Sequence, residues 1–232
     1  MKPIYWLDSR GNPVFPLDLE PDRDGLIAVG GDLSERVLIE AYSKGIFPWY
    51  NGPPVMWFSP DPRLLLYPDD FHVPARLVRV LRRQAFTVRF DYDFSRVIAH
   101  CAEVPRKWDT GSWIDPQFEA AYTRLHRLHL SHCVSVYQGN ELCGGLYGVS
   151  LGRAFFGESM FSLKANASKV ALFYLVEWLK KENFHFIDCQ VRTEHLVQLG
   201  AVEVSRYSFL DQLAQVLEYP THNYCWRHPE ER

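Results

Sequence analysis

The sequence predicts an α+β fold in which a mixed, mainly antiparallel sheet is flanked by helices and preceded by a small irregular domain. Three observations carry this expectation. Residues 1 to about 70 are broken by proline and glycine, as in "GNPVFP", "VGGDLS" and "GIFPWYNGPPVMWFSPDPR", and proline fixes its own φ and restricts the residue before it. From Phe71 onward helical and strand periods alternate. In "HCVSVYQGNELCGGLYGVSLGRAFFGESMFS" three strand-like runs follow one another across short glycine-containing turns. The expected division is a small N-terminal domain over 1–70 and a larger one over 71–232.

Each element has a local cause. In "DLSERVLIEAYSKGIFPW" Ser34 suits an N-cap, Leu38, Ala41 and Tyr42 fall at helical spacing, and Gly45 closes the end. "PARLVRVLRRQ" is a helix opened by Pro74, with Arg76, Arg79, Arg82 and Arg83 spaced along one face. "FTVRFDYD" alternates as a strand, while "DFSRVIAHCAEV" and "DPQFEAAYTRLHRLHLS" return to helical period. After the three-stranded meander comes the helix "NASKVALFYLVEWLKKEN", with Asn166 or Ser168 as its cap. The strand "FHFIDCQV", the helix "RYSFLDQLAQVLEY" and a polar tail complete the chain.

Composition narrows the function classes. At 232 residues, 47% hydrophobic and 23% charged, the chain reads as an ordinary globular protein with a sizeable core. Its net charge of −3 leaves any grip on a polyanion to a local patch. No run approaches the ~18 apolar residues of a membrane span, and "MKPIYWLDSRGNPVFP" lacks the basic start and apolar stretch of a signal peptide, so a cytoplasmic location is expected. Cys101, Cys133, Cys143, Cys189 and Cys225 are odd in number and form no C-x-x-C pair, which predicts five free thiols.

Polar groups interrupt two apolar runs. "FFGESMFS" places Glu158 between Phe156 and Met160, and "FHFIDCQV" places Asp188 and Gln190 two apart on a strand, hence on one face, with Cys189 on the other. Buried groups of this kind must be satisfied by neighbours, water or substrate. Two readings fit: a structural hydrogen-bond network, with Glu158 paired to a basic residue across the sheet, or a site that binds and orients an amine. The loop aromatics Trp49, Tyr50, Trp57 and Trp113 either plug a domain interface or stack on nucleic-acid bases. The arginine face is either solvated or a phosphate grip. His126, His129 and His132 lack a completing ligand set and are expected at the surface, so no metal is predicted.

The strings "GLIAVGGDLS", "AYSKGIFPWY", "WFSPDPR", "GSWID", "LYGVSLGRAFFGESMFS", "NASKVAL" and "IDCQ", in this order, resemble the leucyl/phenylalanyl-tRNA–protein transferase family from about residue 25 to 210. The resemblance implies a GCN5-related acyltransferase-like catalytic domain and transfer of Leu, less readily Phe or Met, from charged tRNA to the α-amine of proteins beginning with Arg or Lys. It implies a degradation signal as product, no cofactor, and a monomer. By position, Asp188 and Gln190 match the pair that orients and deprotonates the amine, and Trp49 and Trp113 the rings that hold the 3′ adenosine. Leu146, Phe155 and Met160 match the aminoacyl side-chain pocket, with Leu146 standing where some members carry Met. Glu158 matches a receiver of the acceptor's basic residue, and Arg79, Arg82 and Arg83 a helix that grips tRNA phosphates. An acyl-CoA-dependent acetyltransferase is a rival of the same fold, but "SLKANASKVAL" has no glycine where such enzymes cradle pyrophosphate. A non-catalytic RNA-binding module leaves Asp188 and Gln190 without a role.

Overall fold

Alternation in "RLLL" places Leu64 and Leu66 in one apolar core and Leu65 in another, so this short run is a strand sealed on both faces. The same division runs through the whole molecule. The computed structural model describes residues 4–8, 15–16, 19–50, 52–103 and 115–227. The Pro/Gly-rich beginning contains β1 (Tyr5–Leu7), β2 (Leu26–Gly30), α1 (Glu35–Ser43), β3 (Phe47–Pro48) and β4 (Met56–Phe58). Its strands form a small sheet in the order β1-β2-β4-β3. Next come β5 (Arg63–Leu66), α2 (Ala75–Arg82), β6 (Thr87–Phe90), α3 (Phe94–Glu103), α4 (Pro116–Arg127), β7 (Ser131–Gln138), β8 (Glu141–Leu151) and β9 (Ala154–Ser162). The last elements are α5 (Ala167–Lys181), β10 (Phe186–Gln190), α6 (Glu194–Val197), β11 (Val202–Val204) and α7 (Arg206–Leu217).

The larger sheet has the order β11-β5-β10-β9-β8-β7-β6. Among the described residues its only parallel neighbours are β9 and β10, and all other pairs are antiparallel. One face is covered by α1, α3, α4 and α7 through Val37, Val97, Phe118 and Phe209, against Phe156, Phe161 and Phe186 of the sheet. The other is covered by α5, whose Ala171, Leu175 and Leu179 meet Leu64, Leu146, Phe155 and Ile187. The mixed, mainly antiparallel layer flanked by helices is the one the alternating periods predict. β5 precedes residue 70 and pairs within this larger sheet.

Three local expectations need correction. Ser34 and Asn166 occupy N-cap positions without a side-chain capping bond, and Asn166 sits in the left-handed region at φ 69°. The helix "DPQFEAAYTRLHR" is capped by Asp115, whose side chain accepts from the Phe118 N–H. His132 is not at the surface: its Nδ1 lies 2.8 Å from Asp91 Oδ2 and its ring stacks on Trp226 at 3.7 Å. Asp91 also accepts from the N–H groups of Cys133 and Trp226, fastening the segment after α7 to the sheet. Burial pushes the Asp91 carboxyl up, but His132 and the Trp226 N–H outweigh this and hold it below its ordinary value. Trp226 in turn stacks on Trp178 of α5 at 3.7 Å and meets Phe155 at 5.8 Å. None of the five cysteines is in a disulfide, as expected.

Gly144 shows how tightly α5 sits on the sheet. A Cβ added there would lie 2.4 Å from the Cβ of Ala167 and 3.0 Å from its carbonyl carbon, at the start of α5. Gly144→Ala should therefore overpack this seam and destabilise the protein by roughly 1–3 kcal/mol in denaturant unfolding. Wild-type stability in that variant would show that the start of α5 yields freely.

Candidate active site

β9 and β10 pair only over Phe186↔Ala154, Ile187↔Phe155 and Asp188↔Phe156. Both strands carry a register shift just beyond this point. Glu158 is the extra residue between Gly157 and Ser159 opposite β8, and Cys189 the extra residue between Asp188 and Gln190 opposite β5. The strands part there, and a cavity of about 390 Å³ borders the gap. The β9 bulge explains why Phe155 and Met160, an odd number of residues apart, both reach this cavity. Leu146 joins them from β8, while Phe47 and Trp49 of the N-terminal part form another wall.

Asp188 is fully buried and does not line the cavity. Its Oδ1 and Oδ2 accept from Arg63 Nε at 2.8 Å and Nη2 at 2.6 Å, a bidentate pair. Arg63 is fully buried too, with its guanidinium 4.8 Å from the Phe47 ring centroid and 4.5 Å from that of Phe209. Asp188 Oδ1 accepts a further bond, from the Gln190 N–H at 2.9 Å. This bond closes a turn that holds Gln190 at φ 64°, a conformation that disfavours a non-glycine residue. The turn corrects the simple alternation read from "IDCQ": Gln190 leaves the strand line to face the cavity, Asp188 stays behind it, and Cys189 also borders the cavity. Burial pushes the Cys189 thiol well above its ordinary range, which keeps it protonated.

Among the described residues Glu158 has no basic partner across the sheet. Its Oε1 accepts from Tyr42 Oη at 2.6 Å and Gln190 Nε2 at 2.9 Å, and its Oε2 from Tyr122 Oη at 3.2 Å. The two hydroxyls also touch each other, and since each has a single proton, one of them can bridge to the other only by giving up its bond to an ionised Glu158. When ionised, Glu158 only accepts, and the Gln190 amide then turns its nitrogen toward it, leaving Oε1 as an acceptor. Burial raises the Glu158 carboxyl to about 7; the three hydrogen bonds act against that shift and the Asp188 charge reinforces it. Beside an apolar pocket stand an oriented amide and a carboxyl poised to ionise near neutrality, a pairing suited to an amine.

The other candidates separate. Trp49 is 42% exposed on the cavity rim, whereas Trp57 is buried with its Nε1 donating to Gly30 O, and Tyr50 is buried against Phe118. Trp113 lies outside the described residues. Arg79, Arg82 and Arg83 are exposed on and just after α2, away from the cavity. Sequence reasoning missed Arg63, Tyr122 and the bond of Tyr42 to Glu158. The available signal was that a buried Tyr hydroxyl or Arg needs a partner. It also missed Thr193 and His195 on the rim, where burial and then Lys169 lower the imidazole pKa.

A family profile described as leucyl/phenylalanyl-tRNA protein transferase matches residues 65–214, and one for the N-terminal domain of the same protein matches 31–61. A leucyl/phenylalanyl-tRNA–protein transferase from Anaeromyxobacter dehalogenans (strain 2CP-C) is 52% identical over 226 residues, covering 97% of this chain and 96% of that one. The chain belongs to the leucyl/phenylalanyl-tRNA–protein transferase family. A member from Desulfatibacillum aliphaticivorans is 53% identical over 225 residues, 97% of this chain and 96% of its own. Among solved structures, a GCN5-related N-acetyltransferase from Kribbella flavida superposes at a TM-score of 0.37 and 10% identity, over 71% of this chain and 58% of that one. The chain is thus an aminoacyltransferase that uses aminoacyl-tRNA and a protein acceptor. No helix among the described residues is long and apolar enough to cross a membrane, and none of their His, Cys, Asp and Glu side chains group into a metal site.

Two stability tests follow from the buried charges. Arg63→Met strands the Asp188 carboxylate and should cost about 3–5 kcal/mol in denaturant unfolding; a near-neutral effect would mean that Asp188 finds another partner. Glu158 is raised from 4.5 to about 7 on folding, so the folded state holds the extra proton. Its stabilising contribution is complete below pH 4.5 and is lost as pH rises through 7. Wild-type stability measured against Glu158→Gln should fall by about 3 kcal/mol across that window, and a flat difference would place the carboxyl near its ordinary value.

Proposed function

We propose that the cavity holds the side chain of the transferred residue and that Gln190 receives the attacking amine. Leucine, and less readily phenylalanine or methionine, lies between Leu146, Phe155 and Met160, while Trp49, together with Trp113, holds the 3′ adenosine. The acceptor is a protein beginning with Arg or Lys, whose cationic side chain approaches Glu158; the product carries an N-terminal degradation signal. The first 70 residues supply Trp49 and residues 71–232 the transfer chemistry, although Arg63 of the first part backs Asp188 of the second. The protein acts as a cytoplasmic monomer without cofactor, with Arg79, Arg82 and Arg83 on tRNA phosphates. The observation that carries this reading is the Gln190 amide, whose donor side is taken by Glu158 and whose acceptor side is left for an N–H.

The neutral α-amine, with a pKa near 8, donates a hydrogen bond to Gln190 Oε1 and directs its lone pair at the ester carbonyl carbon. A C–N bond forms, the C–O3′ bond breaks, and the proton shed by nitrogen balances the ribose hydroxyl that leaves. Holding the two reactants together supplies about 7–11 kcal/mol. Asp188, neutralised by Arg63 and closed off from the cavity, positions Gln190 from behind through its bond from the Gln190 N–H. The acyl-CoA alternative is opposed at the start of α5, where the N–H groups of Ala167 and Ser168 already donate to Lys164 O at 3.1 Å and Ser162 Oγ at 3.3 Å.

Incubation with labelled Leu-tRNA and an Arg-initiated peptide should transfer label to the peptide. Gln190→Ala should lower kcat by about 10²-fold or more with little change in tRNA affinity. Equal losses in kcat and affinity would make Gln190 a binding or folding element instead. An inactive wild-type protein whose melting temperature rises with CoA would favour the acetyltransferase reading.

A further inference from the structure

A second cavity, of about 450 Å³, lies at the other end of the larger sheet, against its edge strand β6. Arg89, Tyr92, Arg96, Tyr137 and Asn140 are among its lining residues. On β6 the side chains of Val88 and Phe90 pack into the α5 core, so Arg89 projects to the opposite face. There its guanidinium lies 4.3 Å from the Tyr92 ring centroid and 5.5 Å from that of Tyr137. The two rings hold one another edge to face at 6.1 Å, and the cation lies against both.

Arg89 makes no hydrogen bond or ion pair to any described residue through its side chain, although the guanidinium carries five donors. Asp93, the carboxylate in the same lining, is already engaged: its Oδ2 accepts from Tyr137 Oη at 2.8 Å and Arg96 Nη1 at 2.9 Å. The lining therefore presents two guanidinium groups to one carboxylate, and the cation left over is half-buried and oriented. Such a fork matches the paired oxygens of a phosphate better than a solvated lysine would.

Resting on the family's use of tRNA, we propose that Arg89 receives a backbone phosphate of the tRNA, at a site separate from the aminoacyl cavity. The chain runs from Arg83 to Thr87 in a span of at most about 14 Å, so this site lies close to the exposed arginines at the end of α2. Together they form a basic tract around the edge strand, one part on each face of the sheet. The tract reconciles binding of a polyanion with a net charge of −3.

The test is titration of uncharged tRNA over a salt series, which needs no transfer reaction and so stands or falls apart from the proposed chemistry. Arg89→Gln keeps a planar group between the rings; it should weaken binding roughly three- to ten-fold and make the salt slope shallower by about 1. Arg89→Lys keeps the charge and should retain most of the slope, which separates phosphate contact from altered packing even if the first variant melts lower. Unchanged affinity and slope in Arg89→Gln overturn the proposal. It is equally overturned if inorganic phosphate perturbs the Arg89 guanidinium NMR signal and tRNA does not, since the site then takes a free anion.

Discussion

The geometry of the candidate site depends on a buried ion pair, Arg63 with Asp188. Neither group reaches solvent, and each would be costly alone. Phe47 and Phe209 enclose the guanidinium, its fork meets both carboxylate oxygens, and one of those oxygens also holds the Gln190 N–H. The cost of burying two charges is thereby offset by geometry that fixes a strained residue. Gln190 keeps its left-handed backbone because the turn beneath it is tied to the centre of the sheet.

From this anchor the site extends through neutral groups. The Gln190 amide donates to Glu158, which also collects the hydroxyls of Tyr42 and Tyr122 from α1 and α4. The two acidic groups of this region differ in their partners: Asp188 is clamped by a cation, whereas Glu158 meets only neutral donors and burial holds its carboxyl near neutrality. The apolar wall across from them comes from the opposite core, so the gap between β9 and β10 is where the two faces of the sheet meet.

Much of this was legible in the sequence, and the failures have physical causes. Glu158 and Gln190 stood out as polar residues within apolar runs, and with Leu146, Phe155, Met160 and Trp49 they border one cavity. The shared face of Asp188 and Gln190 was misread because period-two alternation assumes an unbroken strand, and the bulge at Cys189 breaks it. Arg63 escaped notice because an arginine opening "RLLL" looks like a polar strand end; only the fold brings it to Asp188. His132 looked like a surface residue because its partner Asp91 lies on a distant turn, and sequence spacing carries no trace of that meeting.

The segment after α7 has a part in this arrangement that its position in the chain conceals. Trp226 is fastened by Asp91, stacks on His132 and Trp178, and comes up behind Phe155, a wall of the cavity between β9 and β10. During synthesis Phe155 leaves the ribosome long before Trp226, so a nascent chain exposes this wall without its backing. The shape of this cavity is in that sense a late acquisition, settled when the tail seats rather than when the sheet forms.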